Sequence, residues 1–273
     1  MTGWTKLALT LALAWVVIVL LAFWLQRWLL YFPDPSRPDA AYLRAAGLVE
    51  VSAPTEDGLE LRFWARLPAA NASGRRAPTV VLFHGNAGHH GHRLPVLLPL
   101  IRAGFGAVLA SYRGYGGNPG RPSEQGLYAD GEAQLRALAA QGIASEEIVL
   151  WGESLGTGVV TWLATRHKVR GVILQAPYTS IADLAQEIYW YLPARWLVSD
   201  RFDNLARAPH LRAPLLVVQG EADEIVPLAH GQRVLAAADA PKRGLFLPGR
   251  RHNDGLDEAT YAAIADFIST LPR

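Results

Sequence analysis

The feature that most constrains the fold is the stretch IVLWGESLGTGVV, from Ile148 to Val160, in which a serine between two glycines separates two apolar runs. A nucleophilic serine that projects from a strand-to-helix turn needs a strained backbone and almost no side chain two positions on either side. Gly152 and Gly156 supply that room. The stretch therefore predicts a strand, a sharp turn and a helix, with Ser154 as a nucleophile rather than a packing residue of the turn.

Apolar, strand-like runs alternate with helix-period segments along most of the chain. LVEVSAP and LELRFWARLP predict a hairpin, and six further runs follow, namely TVVLFHG, AVLASYRG, IVLWGES, GVILQAP, LLVVQGEAD and GLFLPGR. Between them, apolar residues recur at helical spacing, as they do at Tyr261, Ile264 and Ile268. This alternation predicts an α/β fold with a mostly parallel central sheet that helices cover on both faces.

The composition agrees with a large folded domain. The chain has 273 residues, of which 51% are hydrophobic and 10% aromatic, and this content supports a substantial buried core. The 26 basic and 24 acidic residues are scattered, so no basic block indicates a nucleic-acid partner. The chain has no cysteine, which excludes disulfides, thiolate nucleophiles and cysteine-ligated metals.

The amino-terminal segment differs from the rest of the chain. From Leu7 to Leu25 it carries no charge, and as a helix this run extends about 28 Å, close to the hydrocarbon thickness of a bilayer. We interpret residues 1–32 as a single-pass membrane anchor outside the folded core. A cleaved signal peptide is the alternative, although its apolar region is usually shorter and ends at a small-residue cleavage site. The flanking basic residues give only a slight bias toward a cytoplasmic domain.

Three prolines in residues 33–40 predict a stiff linker, and residues 41–273 are expected to form the catalytic domain. Within that domain, Asn71-Ala72-Ser73 matches a glycosylation sequon. The interval from about 180 to 211 is too long for an ordinary connection and contains IYWYLPARWLV, so we interpret it as a short helical cap. Its aromatic residues, among them Trp190 and Trp196, predict either packing on the core or an apolar wall that faces the substrate.

A serine nucleophile needs a histidine base and an acid that orients the histidine. In a hydrolase built on a parallel sheet they follow in the order serine, acid, histidine. His252 lies far downstream, after the apolar run GLFLPG and before the final helix, which predicts it as the base. The loop after LLVVQG offers Glu221, Asp223 and Glu224 as the acid, and each of them is otherwise a solvated turn charge.

Two backbone amides are candidates for stabilising an oxyanion. The helix that follows Ser154 directs its first amides at the site, which makes the Leu155 N–H one of them. The turn in LFHGNAG places the Asn86 N–H as the second. His84, in the same turn, lies upstream of the nucleophile and is predicted to brace the loop.

A group of histidines follows this turn, at His89, His90 and His92. A metal site needs a third or fourth ligand and supporting hydrogen bonds. No acidic or sulfur partner stands at a matching spacing in the sequence. We therefore predict no metal site, and no cofactor is implied.

With these motifs in place, the sequence resembles the α/β-hydrolase superfamily, and more closely its membrane-anchored branch similar to serine-aminopeptidase-like and prolyl-oligopeptidase-like hydrolases. The resemblance covers nearly everything after Phe32 and rests on GESLG, FHGNAG, YRGYGGNPGRPSEQGLYAD, GEADEIVP and HND. The family pattern G-x-x-D-x-x-V-P implies that Asp223 is the catalytic acid. The sequence departs from the branch at QAPYTS, where an acidic residue often precedes an Ala/Ser-Pro pair, and at Thr157, where a glycine is frequent.

Together these features imply a membrane-anchored serine hydrolase that cleaves an acyl ester or thioester of a small molecule or lipid through an acyl-enzyme intermediate. An aminopeptidase-like serine peptidase is the alternative within the same fold. A catalytically idle, membrane-tethered binding module is the alternative outside enzymes. The aromatic cap beside the anchor predicts an apolar acyl pocket and a preference for medium or longer acyl chains.

Overall fold

A mostly parallel sheet lies at the centre of the protein, whose computed structural model describes residues 2–68 and 76–272. The sequon at 71–73 lies outside the described residues. Within them, the main sheet has eight strands, which are β1 (Val49–Pro54), β2 (Glu60–Arg66), β3 (Thr79–Phe83), β4 (Gly106–Ala110), β5 (Ile148–Glu153), β6 (Gly171–Gln175), β7 (Leu215–Gly220) and β8 (Lys242–Leu247). Their order across the sheet is β8-β7-β6-β5-β3-β4-β2-β1. The strand β2 is antiparallel to both of its neighbours, and the other pairs are parallel.

Helices cover both faces of this sheet, as the alternating pattern predicts. The described α-helices are α1 (Gly3–Leu30), α2 (Ala40–Ala45), α3 (Leu94–Arg102), α4 (Glu124–Ala140), α5 (Leu155–Arg166), α6 (Ile181–Ile188), α7 (Ala194–Leu197), α8 (Asn204–Arg207), α9 (Leu228–Ala237) and α10 (Glu258–Thr270). Short 3₁₀ turns lie at His90–Arg93, Ser145–Glu147 and Ala208–His210. Two clusters of buried apolar side chains pack between helices and sheet. The prediction of an α/β fold is confirmed.

The strand order brings the loops after β3, β5, β7 and β8 to one edge of the sheet. Phe83 at the end of β3 pairs with Gly152 near the end of β5, so the turns that carry Asn86 and Ser154 begin side by side. The strands β7 and β8 end at the same edge, because they continue the parallel part of the sheet. In open parallel sheets this carboxyl edge is where ligands bind. We call it the catalytic edge, because the residues predicted to be catalytic lie in its loops.

A buried ion network joins the loop after β4 to α4 and to the β1–β2 turn. The guanidinium of Arg113 donates to Asp130 Oδ1 at 2.8 and 2.9 Å, and the Arg113 amide donates to Asp130 Oδ2 at 2.8 Å. A second fork of donors reaches Asp57 at 2.6 and 3.1 Å. The Asp130 side chain is fully buried, and that of Arg113 is 9% exposed. Removing the arginine would therefore leave a buried carboxylate without its cation.

The change Arg113→Met is expected to lower the free energy of unfolding by about 3 kcal/mol, because breaking a buried ion pair leaves one charge uncompensated. The matched control is Arg136→Met, which removes an exposed pair with Glu56 and should cost about 1 kcal/mol or less. Urea unfolding of both variants in detergent micelles measures the difference. Equal losses in the two variants would show that the network contributes no more than a surface pair.

The end of α1 packs against the domain, in contrast to the expectation that residues 1–32 lie outside the core. Arg27 donates to both oxygens of Asp200 at 3.0 and 3.3 Å, and the buried Tyr31 donates its hydroxyl to Asp200 at 3.0 Å. Phe32–Pro33 pairs in parallel with Ala87–Gly88 just beyond β3. The reason is that Asp200 is buried and needs hydrogen-bond donors, which the last turn of α1 supplies.

Residues 180–211, between β6 and β7, form the segment that we call the insert. It contains the short helices α6, α7 and α8. The Trp15 indole N–H donates to the Tyr191 carbonyl at 3.3 Å, so the insert also contacts the middle of α1. Trp190 and Trp196 are 79% and 86% exposed at its tip. These tryptophans therefore do not pack on the core.

Candidate active site

Ser154 stands at the turn between β5 and α5, as the opening motif predicts. Its backbone has φ 48° and ψ −115°, a conformation that non-glycine residues rarely adopt and that stores strain. A Cβ at Gly152 would lie 2.6 Å from the Gly156 carbonyl oxygen, and a Cβ at Gly156 would collide with the Phe83 carbonyl. The Ser154 amide donates to the Gln175 carbonyl of β6 at 2.9 Å, which holds the strained turn in place.

Thr157, which stands where a glycine is frequent in the family pattern, braces this turn. Its hydroxyl donates to the Ser154 carbonyl at 2.7 Å and accepts from Asn204 Nδ2 at 2.9 Å. Asn204 begins α8 in the insert, and its amide also donates to the Tyr178 carbonyl at 2.9 Å. The departure thus links the Ser154 turn to the insert through hydrogen bonds.

Asp223 and His252 meet at the catalytic edge, although 29 residues separate them in the chain. His252 Nδ1 lies 2.8 Å from Asp223 Oδ2 and 3.0 Å from Oδ1. Asp223 Oδ1 also accepts the amides of Ile225 and Val226, at 3.0 and 2.8 Å, and the Asp223 side chain is 1% exposed. Because a carboxylate only accepts, this pairing assigns the proton to Nδ1 and leaves the Nε2 lone pair free to act as a base.

The other two acids of this loop have different positions. Glu221 is exposed. Glu224 accepts from the His252 amide at 3.2 Å and from Arg251 Nη2 at 2.9 Å, so it contacts the backbone of the histidine loop rather than the imidazole. Of the three candidates, the structure therefore brings only Asp223 to the imidazole ring.

Asn86 is held by the segment that leaves α1. Its carbonyl accepts the Phe32 amide at 2.9 Å and the Tyr115 hydroxyl at 2.8 Å, while its side chain donates to the Leu30 carbonyl at 3.0 Å. Leu155 occupies the first position of α5, where amides have no partner within the helix. Both residues line the same cavity as Ser154.

This cavity lies over the catalytic edge and has a volume of about 520 Å³, within the range of small-molecule sites. Ser154 and His252 both line it, and so do Arg27 and Leu29 of α1. Most of its wall is aliphatic. The insert supplies Ile181, Leu184, Ala185, Ile188, Tyr189, Leu192, Ala194, Leu197 and Val198. The aromatic residues singled out in the sequence, Trp190 and Trp196, are not part of this wall.

The comparisons with known proteins agree with this architecture. The family described as alpha/beta hydrolase fold matches residues 78–210. An uncharacterized protein of Mycobacterium tuberculosis is 40% identical over 231 residues, which cover 84% of this chain and 81% of that protein. The lysophosphatidylserine lipase ABHD12 of Danio rerio is 31% identical over 221 residues, which cover 68% of this chain and 58% of that protein. The chain belongs to the α/β-hydrolase superfamily.

A solved esterase structure shares the fold over most of the chain. An esterase of Pyrococcus furiosus superposes with a TM-score of 0.71 and covers 88% of this chain and 97% of its own, at 17% sequence identity. At that identity the likeness shows the fold alone. The family prediction is confirmed, and with it membership of a superfamily of hydrolases.

The sequence analysis did not identify one pair of charged residues in the cavity. Arg93 Nε and Nη2 donate to the two oxygens of Glu153 at 2.6 and 2.8 Å, and both residues line the cavity next to Ser154. The position of Glu153 within the G-x-S-x-G motif was the one sequence feature that could have indicated it as a site residue. Its partner lies 60 residues away, at the end of a 3₁₀ turn, where no local pattern marks it.

His84, the first histidine after β3, is buried and lies outside the cavity. Burial lowers the pKa of His84 to about 3, so it stays neutral, and its Nδ1 lies 2.7 Å from the Gly85 carbonyl. Its predicted role as a brace is consistent with this bond. His84 is absent from the residues that line the cavity.

His89 and His92 acquire an acidic neighbour that their spacing did not reveal. Asp34 Oδ2 lies 3.9 Å from His89 Nε2 and 4.0 Å from His92 Nε2. However, both Nδ1 atoms accept backbone amides, at 3.1 and 3.4 Å, which assigns the proton to each Nε2. A metal ligand atom must be unprotonated, so this assignment disfavours metal ligation by the two Nε2 atoms, and Asp34 is an acidic neighbour beyond hydrogen-bond distance.

Proposed function

We propose that the protein is a membrane-anchored serine hydrolase that cleaves acyl esters or thioesters with medium or longer acyl chains. The observation that carries the proposal is the 2.8 Å contact between His252 Nδ1 and Asp223, in a cavity that His252 shares with the strained Ser154. Because Nδ1 is bonded to Asp223, Nε2 is the ring nitrogen that remains available to act as a base toward Ser154. The family supplies the reaction class, and these three residues supply the chemistry.

In the proposed reaction, Ser154 Oγ attacks the acyl carbonyl carbon while His252 Nε2 takes the hydroxyl proton. Asp223 holds the ring and stabilises the imidazolium that forms. The amides of Asn86 and Leu155 donate to the oxyanion of the tetrahedral intermediate. When this intermediate collapses, the leaving group takes the proton from His252, and an acyl-enzyme remains. A water molecule, deprotonated by His252, then hydrolyses the acyl-enzyme by the same steps.

The proposed anchor is α1, which is long and apolar enough to cross a membrane. Its 28 residues have a mean hydropathy of 2.6 in the most apolar window and extend about 42 Å. Residues 33–40 then lead to the proposed catalytic domain, 41–273, with the insert as its cap. The exposed tryptophans Trp190 and Trp196 suit a membrane interface, because their rings are apolar and carry one polar edge.

The cavity favours an acyl substrate over a peptide. An aminopeptidase needs a carboxylate that is available to the substrate's free amine. Two described carboxylates line the cavity, and each is already paired, Glu153 with Arg93 and Asp200 with Arg27. The remaining wall is mostly aliphatic and matches an acyl chain. The name of one relative, the lysophosphatidylserine lipase of Danio rerio, points in the same direction.

The proposal predicts that kcat/KM rises with acyl length across p-nitrophenyl esters from acetyl to octanoyl, up to about fourfold per methylene until the cavity is filled. The series is measured on the full chain in detergent micelles. Trp190→Ala and Trp196→Ala should leave its slope unchanged, because both side chains lie outside the cavity. A flat or falling series would instead favour a small-acyl esterase or a peptidase.

A further inference from the structure

The membrane helix α1 takes part in the cavity over a considerable length. Ala22, Gln26, Leu29 and Leu30 all line it. Their spacing of i, i+4, i+7 and i+8 places them on one face of the helix. Ala22, Gln26 and Leu30 are partly buried on this face, whereas Leu29 is 55% exposed. A helix that served only as a membrane tether would not need to line the cavity.

A second helix, α6, lines the cavity in the same way. Ile181, Leu184, Ala185 and Ile188 of α6 also line the cavity, at a spacing of i, i+3, i+4 and i+7. Faces of two helices thus line one mostly apolar cavity. The insert is fastened to α1 at more than one point. Gln26 Oε1 accepts the Ser199 amide at 2.7 Å, in addition to the ion pair between Arg27 and Asp200.

The two ends of this space differ in chemistry. The Leu30 end touches the oxyanion turn, since the Leu30 carbonyl accepts from the Asn86 side chain at 3.0 Å. Ala22 lies eight residues earlier on the same face, about 12 Å along the helix axis. An acyl chain whose carbonyl group lies at Ser154 and whose methylenes follow α1 therefore reaches Ala22 last. The small side chain of Ala22 leaves room at that far end.

We propose that α1 forms one wall of the acyl-binding site and that Ala22 limits the length of the acyl chain that the site accepts. The inference rests on the proposed serine hydrolase activity. It makes the membrane helix a determinant of substrate specificity as well as an anchor. The acyl chain lies between α1 and α6, with its carbonyl at Ser154 and its methyl end towards Ala22.

The test compares three substitutions to phenylalanine in the full chain in detergent micelles, with p-nitrophenyl butyrate and p-nitrophenyl laurate as substrates. Ala22→Phe fills the α1 wall and Ala185→Phe fills the facing α6 wall. Ala12→Phe is the matched control, because Ala12 is exposed on α1 and does not line the cavity. Fluorophosphonate labelling of each variant measures the fraction of competent Ser154.

We expect Ala22→Phe and Ala185→Phe to lower the laurate-to-butyrate ratio of kcat/KM tenfold or more, since each methylene excluded from the cavity costs about fourfold. After each rate is corrected for the labelled fraction of Ser154, butyrate turnover should fall less than laurate turnover in both variants. The Ala12→Phe control should change neither the ratio nor the labelling. A loss of stability alone would lower both esters together and leave their ratio unchanged.

A shift in the ratio with Ala185→Phe but not with Ala22→Phe would overturn the role of α1 while leaving the acyl cavity in place. An unchanged ratio in both variants would overturn the inference completely. Failure of the proposed function looks different, because the wild-type chain would then show neither Ser154-dependent labelling nor turnover of either ester.

Discussion

Replacing Ser154 by alanine is expected to abolish fluorophosphonate labelling and to lower kcat for p-nitrophenyl esters by about 10⁴-fold or more. The hydroxyl is the atom that forms the acyl-enzyme in the proposed mechanism, and alanine removes it with little change in volume. Serine and alanine both carry a Cβ, so the substitution neither adds nor removes strain at the unusual φ of 48°. The fold should therefore be retained. Residual activity is expected from the amides of Asn86 and Leu155, which still polarise the carbonyl.

The control for this experiment is Ser269→Ala, since Ser269 is exposed on α10 and remote from the cavity. Both variants are labelled with a fluorophosphonate probe and assayed on the butyrate ester, and thermal unfolding confirms that each is folded. Labelling should be lost only in Ser154→Ala. Normal labelling of that variant would place the nucleophile elsewhere and end the proposed mechanism.

The second large effect is expected from Asp223→Asn, which should lower kcat by about 10⁴-fold. In the wild type, Asp223 accepts the Nδ1 proton of His252 at 2.8 Å. An asparagine amide in its place can donate to Nδ1, and this moves the ring proton to Nε2, where it blocks removal of the serine proton. The amides of Ile225 and Val226, which donate hydrogen bonds to Asp223, can still donate to the asparagine carbonyl. The loop should therefore keep its shape.

Two neighbouring acids supply matched controls for this substitution. Glu221→Gln should leave kcat within about twofold, because the side chain is exposed. Glu224→Gln should lower kcat by about tenfold or less. The glutamine carbonyl can still accept the hydrogen bond that the His252 amide donates to Glu224 at 3.2 Å. The three variants are compared by kcat and by rate of fluorophosphonate labelling. If Glu221→Gln or Glu224→Gln proved the most damaging, the assignment of Asp223 would be wrong.

The secondary structure was predictable because its signals are local. Each of the eight apolar runs identified in the sequence became a strand of the main sheet, since strand and helix periods are read from consecutive residues. The turn at Ser154 was predictable for a similar reason. Its two glycines are a local steric requirement, and the structure shows what a side chain at either position would strike.

The site was predictable in its residue types but not in its pairings. The sequence placed Glu221, Asp223 and Glu224 in one loop, and its resemblance to a family favoured Asp223. Only the tertiary structure explains why Asp223, and not its neighbours, contacts His252. The loop turns the Asp223 side chain inward to meet His252 and two amides, whereas Glu221 points to solvent.

By itself, the sequence determined the α/β class, the strand segments, the apolar helix and the residues predicted to form the triad. The tertiary structure alone decided the strand order, the pairing of Arg93 with Glu153, the outward position of Trp190 and the packing of α1 on the domain. Arg27 and Asp200 are separated by 173 residues, and no local pattern relates them. Periodicity and turn chemistry depend on neighbours in the chain, whereas the walls of a cavity depend on which distant surfaces pack together.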